Sequence, residues 1–325
     1  MLSASVQGPT ISQLRSAIAG RNAAVVRVTP FISQPMLRPS TLLRHSTSAL
    51  ILDTHTHIYS EDEASYPTVV KPLRPPGDAG SVTNLERVTK ANGVAGVCIV
   101  QPSSFYDWDN RFICDTAAKT HRWTAGVCTL DPDDFHSPGL IRHYAKKYGI
   151  RALRSVPARG GKIDSPAVVA LWRACAELGI VVNVLCDRNN TDALAHMLEN
   201  FPRHSVVIDH CLNLKAGPEQ GAILADMLRL AKHTNAHAKL TFLGMGSAEG
   251  YPFRDMHEPC RKIIAFYTPD RCVWGSDFPC ELWTPQATYS QNLRLFTNEL
   301  GLETVAKEAI LGKTAHALYF RGKRS

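Results

Sequence analysis

Eight short apolar runs, each followed by a pattern of helical period, recur from residue 49 onward and restrict the fold more than any other feature. The predicted strands are Ala49–Ile58, Gly96–Gln101, Thr124–Leu130, Ile150–Val156, Ile180–Cys186, Val206–Asp209, Ala238–Leu243 and Cys272–Gly275. Between them lie helical patterns such as Leu85, Val88 and Thr89 before Gly93, and Val168, Val169, Leu171, Trp172 and Cys175 before Gly179. Glycine closes several, as in Tyr148-Gly149 and Leu178-Gly179. Strands alternating with helices imply parallel pairing through right-handed crossovers. The economical closure of eight such units is an α/β fold, a (β/α)8 TIM barrel. An open doubly wound sheet would usually carry a glycine fingerprint after its first strand, where this chain has Thr54-His55-Thr56-His57. With no internal repeat and no linker after residue 49, residues 49–325 are expected to form a single domain, closed by a helix over 303–320 packed across the barrel.

The formal charge of +7 would point toward nucleic acid if it were spread over the domain. It is not. Residues 1–52 hold Arg15, Arg21, Arg27, Arg38 and Arg44 with no lysine and no acidic residue, so removing those five charges from +7 leaves +2. An arginine- and serine-rich, acid-free stretch over 1–48 fits a mitochondrial targeting leader, with a disordered extension or a start codon placed too early on an otherwise cytoplasmic protein as the alternatives. No apolar run is long enough to span a membrane. Nine cysteines are scattered without a C-x-x-C pair, several within strand-like runs, which fits buried thiols in a reducing compartment.

In such a barrel the active site lies at the C-terminal ends of the strands. The first strand delivers His55 and His57, two residues apart and so on one side, with Asp53 behind them. Two imidazoles aimed at one point can hold a metal or hydrogen-bond one substrate oxygen. The second strand ends in Gln101-Pro102-Ser103-Ser104, followed by Asp109-Asn110. The fourth carries Arg151 and Arg154, the sixth ends in Asp209-His210, the seventh supplies Lys239, and the eighth ends Trp274-Gly275-Ser276-Asp277-Phe278-Pro279. Arg151 and Arg154 are three apart and point to opposite faces, so only one can enter the mouth. Tyr106 and Trp108 suit either walling a planar ring or ordinary packing.

D-x-H-x-H on the first strand, I-D-H on the sixth and W-G-S-D-F-P on the eighth resemble the amidohydrolase superfamily. Val100-Gln101-Pro102-Ser103 with Asp109-Asn110, and Gly149-Ile150-Arg151-Ala152-Leu153-Arg154, resemble its branch of 2-pyrone-4,6-dicarboxylate lactonase-like hydrolases. The likeness covers roughly residues 50–320. It implies a hydrolase that opens a carboxylated lactone, a pyrone- or muconolactone-like ring, with a small-molecule carboxylate or lactone as its partner.

The departures from the superfamily's pattern bear on mechanism. Where binuclear members use a carboxylated lysine, the fourth strand has Arg151 and Arg154. The fifth strand, Val181 to Asp187, lacks the histidine of mononuclear zinc members, leaving His55, His57, His210 and Asp277 as possible ligands and Cys186 as a poor substitute. The lactonase branch shares that missing histidine and is understood to work without a metal, so the resemblance implies no cofactor, with zinc the alternative. A metal-free lactonase needs a base for water, donors for the oxyanion and cations for the substrate. Asp277 is the expected base, with His55, His57 and His210 holding the carbonyl and the water. The resemblance makes Arg154 the carboxylate clamp. Ser103, Ser104, Lys239 and Arg254 are further candidates for substrate contacts. Cys280 stands where the resembling motif has a histidine, which puts the usual partner of Asp277 in doubt. A zinc-dependent non-oxidative decarboxylase of an aromatic or enoic acid would use the same histidines and Asp277.

Overall fold

The structure, a computed structural model, describes residues 49–321. The leader and its targeting reading fall on residues 1–48, outside the described residues. Eight strands form one sheet in the order of the chain, with every neighbouring pair parallel. They are β1 Leu52–Thr56, β2 Gly96–Val100, β3 Thr124–Thr129, β4 Ala152–Ser155, β5 Val181–Val184, β6 Val206–Ile208, β7 Ala236–Leu240 and β8 Cys272–Trp274. The main helices that follow them in turn are α1 Val82–Ala91, α2 Arg111–Lys119, α3 Ser137–Tyr148, α4 Pro166–Leu178, α5 Thr191–Asn200, α6 Gln220–Leu230, α7 His257–Tyr267 and α8 Tyr289–Arg294. Local chemistry sets their ends. The Ser81 and Ser165 hydroxyls accept from Asn84 N and Val168 N, while Gly149 and Gly179 close α3 and α4 in the left-handed conformation.

Each strand is shorter than expected at one or both ends or shifted by a few residues, and the largest change is in β7. β7 starts at Ala236 and ends at Leu240, and Phe242–Gly246, expected to begin as strand, is a short helix. The terminal segment is helical from Thr304 to Tyr319, with a π-helical turn at Ala309–Lys313 in its middle.

The strands alternate, save for an irregularity in β1 between Asp53 and Thr56 that lets both Leu52 and His55 serve the interior. Outward residues such as Val97, Ile99, Leu153, Val182 and Ile208 pack in the large core that includes side chains of the helices. Inward residues at the N-terminal end (Leu52, Cys98, Ala125, Ala152, Val181, Val207 and Val273) make a second apolar cluster with Ala315, Tyr319 and Phe320. The terminal helix thus plugs the bottom of the barrel, and the Tyr319 hydroxyl donates to Asn183 Oδ1 at 2.6 Å. One step up each strand the interior turns polar: Arg154, Asn183, Asp209 and Lys239 are all buried. A charged layer inside a barrel is costly unless its members are paired. All nine cysteines are buried and free, as their placement in apolar runs implies.

Candidate active site

The seam between β8 and β1 closes at the site itself. Asp277 N donates to His55 O (3.0 Å), His57 N donates to Phe278 O (2.7 Å), and Thr56 bridges Phe278 in parallel. Asp53 bolts the seam from behind, its carboxylate accepting from His55 N, Ser276 N and the Tyr289 hydroxyl. Gly275 is needed here because a Cβ would lie 2.7 Å from His55 Cβ and 2.8 Å from Thr241 Cγ2. Asp277 itself sits at φ 60°, a left-handed backbone that a non-glycine residue adopts at a cost of about 1–3 kcal/mol. The same holds for His210 to Asn213, four consecutive residues in the left-handed region that turn His210 toward the mouth.

His55, His57, His210 and Asp277 converge. Asp277 Oδ1 lies 3.4 Å from His55 Nε2 and 3.9 Å from His57 Nε2, and Oδ2 lies 4.0 Å from His210 Nδ1. The imidazoles pack edge to face, with His55 centroids 5.0 Å from His57 and 4.7 Å from His210. Burial dominates the electrostatics. It pushes the Asp277 carboxyl up to about 7, against a lowering by Arg154. It pulls His210 down to about 3 and holds His55 and His57 well below the usual imidazole range. The histidines are therefore neutral, and the carboxyl titrates near neutrality.

Neutral imidazoles have a proton on one nitrogen only, and the surroundings choose which. His57 Nδ1 lies 2.8 Å from Val100 O, a pure acceptor, so that nitrogen carries the proton and Nε2 presents a lone pair. His55 is the reverse. Its Nδ1 faces the Lys239 ammonium at 3.4 Å, which donates, so the proton sits on Nε2 beside Asp277. His210 Nδ1 shares a 2.7 Å hydrogen bond with the Thr241 hydroxyl.

Beneath this layer a buried carboxylate sits between two cations. Asp209 Oδ1 is 2.8 Å from Lys239 Nζ, and Oδ2 is 3.6 Å from Arg154 Nε. Lys239, expected to contact a substrate anion, is fully buried and spends its charge on Asp209 instead. Arg154 does face the interior of the mouth, at 8% exposure. Arg151 faces the opposite end of the barrel and has no ion pair among the described residues. Ser103 and Ser104 begin a one-turn helix, Ser103–Tyr106, where Ser104 is exposed; Arg254 is exposed on the loop before α7. Tyr106 is buried and its hydroxyl accepts from Ser60 N, whereas Trp108 is exposed. Gln101 and Asn110 build the loop between β2 and α2, with Gln101 donating to Asp107 O and Asp109 O, and Asn110 to Trp108 O and Thr129 O.

Three residues were not expected at the site. Asp209 was legible only as a neighbour of His210. Tyr59 follows His57 by two and shares its side of the chain, and its hydroxyl faces Trp283 without reaching hydrogen-bond geometry. Trp283 packs on the His57 ring at 5.6 Å.

The donor set fits a metal ion in part. His55, His57 and Asp277 bring three ligand atoms within 4.8 Å, as do His55, Asp209 and His210, so three of the four expected ligands group together while His210 groups with His55 and the unexpected Asp209. His55 Nε2 and Asp277 Oδ2 are buried without hydrogen-bond partners. Two imidazoles and a carboxylate are a recognised zinc set with an open position. His57 has the carbonyl partner that metal-bound histidines usually have, whereas His55 faces an ammonium. The burial-raised thiol of Cys186, at about 12, and its absence from both triads remove it as a ligand. Cys280 does not reach Asp277: its thiol points to Ser276 O and accepts from Asn292.

An eight-stranded parallel barrel with histidines and an aspartate at the C-terminal ends of β1, β6 and β8 defines a class of hydrolytic barrels. The chain belongs to the amidohydrolase family, whose profile matches residues 52–321. A 4-sulfomuconolactone hydrolase of Rhizobium radiobacter is 25% identical over 231 residues, 70% of this chain and 75% of that protein. Two solved structures share the fold. One is an Acinetobacter baumannii protein assigned as a 2-pyrone-4,6-dicarboxylic acid hydrolase, with citric acid bound (TM-score 0.67, 16% identity, covering 82% of this chain and 98% of that one). The other is a Burkholderia multivorans amidohydrolase with bound zinc (TM-score 0.67, 21% identity, covering 84% and 99%). The buried triads do not sustain a firm expectation of no cofactor. Among the described residues, no helix is long and apolar enough to cross a membrane.

Proposed function

We propose that this protein opens a carboxylated lactone, a pyrone- or muconolactone-like ring, by water attack. The observation that carries the reading is Asp277, a buried carboxylate titrating near 7 and ringed by three neutral histidines. A general base works best when its pKa lies near the working pH. Asp277 takes a proton from water as the water oxygen attacks the lactone carbonyl carbon, and the ring C–O bond then breaks. The same proton passes to the departing ring oxygen, so the product is the ring-opened acid. His57, with its Nε2 lone pair, holds the second water proton. His55, with its proton on Nε2, donates to the developing oxyanion, as His210 does from the facing strand. Arg154 pairs with a substrate carboxylate, and Ser103, Ser104 and Arg254 offer polar contacts around the loops above it. Similarity to a 4-sulfomuconolactone hydrolase supports this substrate class.

One observation favours a second reading: the His55–His57–Asp277 triad. These residues would hold zinc, which supplies Lewis-acid polarisation and lowers the pKa of bound water. The same set would serve non-oxidative decarboxylation of an aromatic or enoic acid. His55 then has to give up its proton on Nε2, against the pull of Lys239. Elemental analysis of chelator-free protein, together with a ring-opening screen of pyrone and muconolactone carboxylates, separates the readings. Turnover that survives chelation supports the metal-free route. One zinc per chain and activity lost with it supports the second. Carbon dioxide release without ring opening overturns the lactonase.

A further inference from the structure

A cavity of about 520 Å³ lies at the opposite end of the barrel, between the starts of β5 to β7 and the terminal helix. That is the size range of small-ligand sites. It is lined by Arg151, Arg203 and Arg321, by His204 and His237, and by one carboxylate, Asp270. None of the three guanidiniums makes an ion pair or side-chain hydrogen bond among the described residues. The Nε of Arg151 and the Nε2 of His204 are buried and unpartnered, and His204 is only 8% exposed. Asp270 already accepts the Thr268 hydroxyl.

These arginines could be there to serve the helix carbonyls at this end, but that work is done elsewhere. Gly179 N and Ile180 N take the last carbonyls of α4, at Ala176 and Cys175. Arg271 takes the carbonyl just past α6, at Ala231, and those of His233 and Ala236 on the way into β7, at 3.0–3.3 Å. Three cations against one occupied carboxylate leave the cavity with a surplus of positive charge. A half-buried guanidinium with no partner is an unmet demand for an anion, since its fork matches the geometry of carboxylate and phosphate.

We propose that this cavity is a second binding site, away from the catalytic mouth, that takes a small polyvalent oxyanion, carboxylate or phosphate, on Arg151 with Arg203 and Arg321 at its rim. Its distance from Asp277 makes it independent of the lactonase reading.

Isothermal titration of the full chain at low ionic strength, with inorganic phosphate and separately with citrate, tests this. At least one anion is expected to bind, and the tighter of the two identifies the ligand as phosphoryl or polycarboxylate. Arg151→Met should weaken that binding by about tenfold or more, because it removes a charge-assisted pair. Arg203→Met, at an exposed position that does not endanger folding, should weaken it a few-fold. Arg154→Met, at the mouth, should leave it unchanged. Binding lost only in Arg154→Met, affinity unaltered in both Arg151→Met and Arg203→Met, or no binding of either anion overturns the proposal.

Discussion

Asp277 carries the chemistry and also a stability cost. Its carboxyl ionises near 7 in the fold, against an ordinary value of 3.8. The native state therefore holds the proton over a range where the unfolded chain has lost it. The contribution of this group to stability is complete below about pH 4 and is lost as pH rises to about 7, above which a buried charge remains. In metal-free protein, Asp277→Asn should raise the melting temperature at pH 8, by about 2–4 °C per kcal/mol relieved, and much less at pH 5. Equal shifts at both pH values would show that the carboxyl is not perturbed as described. Arg154 tests the other half of the assignment. Replacing it with Met removes a charge-assisted contact worth about 1.5–3 kcal/mol, so KM for a carboxylated lactone should rise by about 10- to 100-fold, with a smaller change in kcat. An unchanged KM would place the clamp elsewhere.

Among the elements, β1 and β8 form the site jointly, and at Gly275 they pack with no room for a side chain. Gly275→Ala would push a methyl group into His55 Cβ and Thr241. Overpacking of this kind costs about 1–3 kcal/mol, read as a lowered melting temperature, and should depress kcat by displacing His55. Wild-type turnover in this variant would mean that the seam is slack. The strands were legible because parallel barrel strands are short apolar runs, and the histidines because they stop such runs abruptly. What escaped the sequence is what depends on partners across the barrel. Lys239 looks like a reach for substrate until Asp209, thirty residues earlier and just past β6, is seen 2.8 Å away. Nothing local marks Cys211 and Leu212 as left-handed, because that turn is imposed by its surroundings rather than by glycine. The end of β7 was misread because Thr241, Phe242 and Leu243 suit a strand as well as a helix.

At the scale of the molecule, the barrel separates tasks along its axis. An apolar layer plugged by Tyr319 supplies stability, a charged layer of Arg154, Asp209 and Lys239 sets the field, and the histidine–aspartate layer faces the mouth. The fields of the lower layers act on Asp277, where Arg154 favours the carboxylate and burial opposes it. Turnover should therefore rise with pH to a plateau above about 7. The most direct test of the account is kcat for ring opening of a carboxylated lactone by wild-type protein and Asp277→Asn, compared at pH 8. The account predicts a loss of about 10²–10⁴ with KM little changed, because the variant keeps the shape but cannot accept the proton. Near-normal turnover by Asp277→Asn would contradict it and leave the water to be activated by another group.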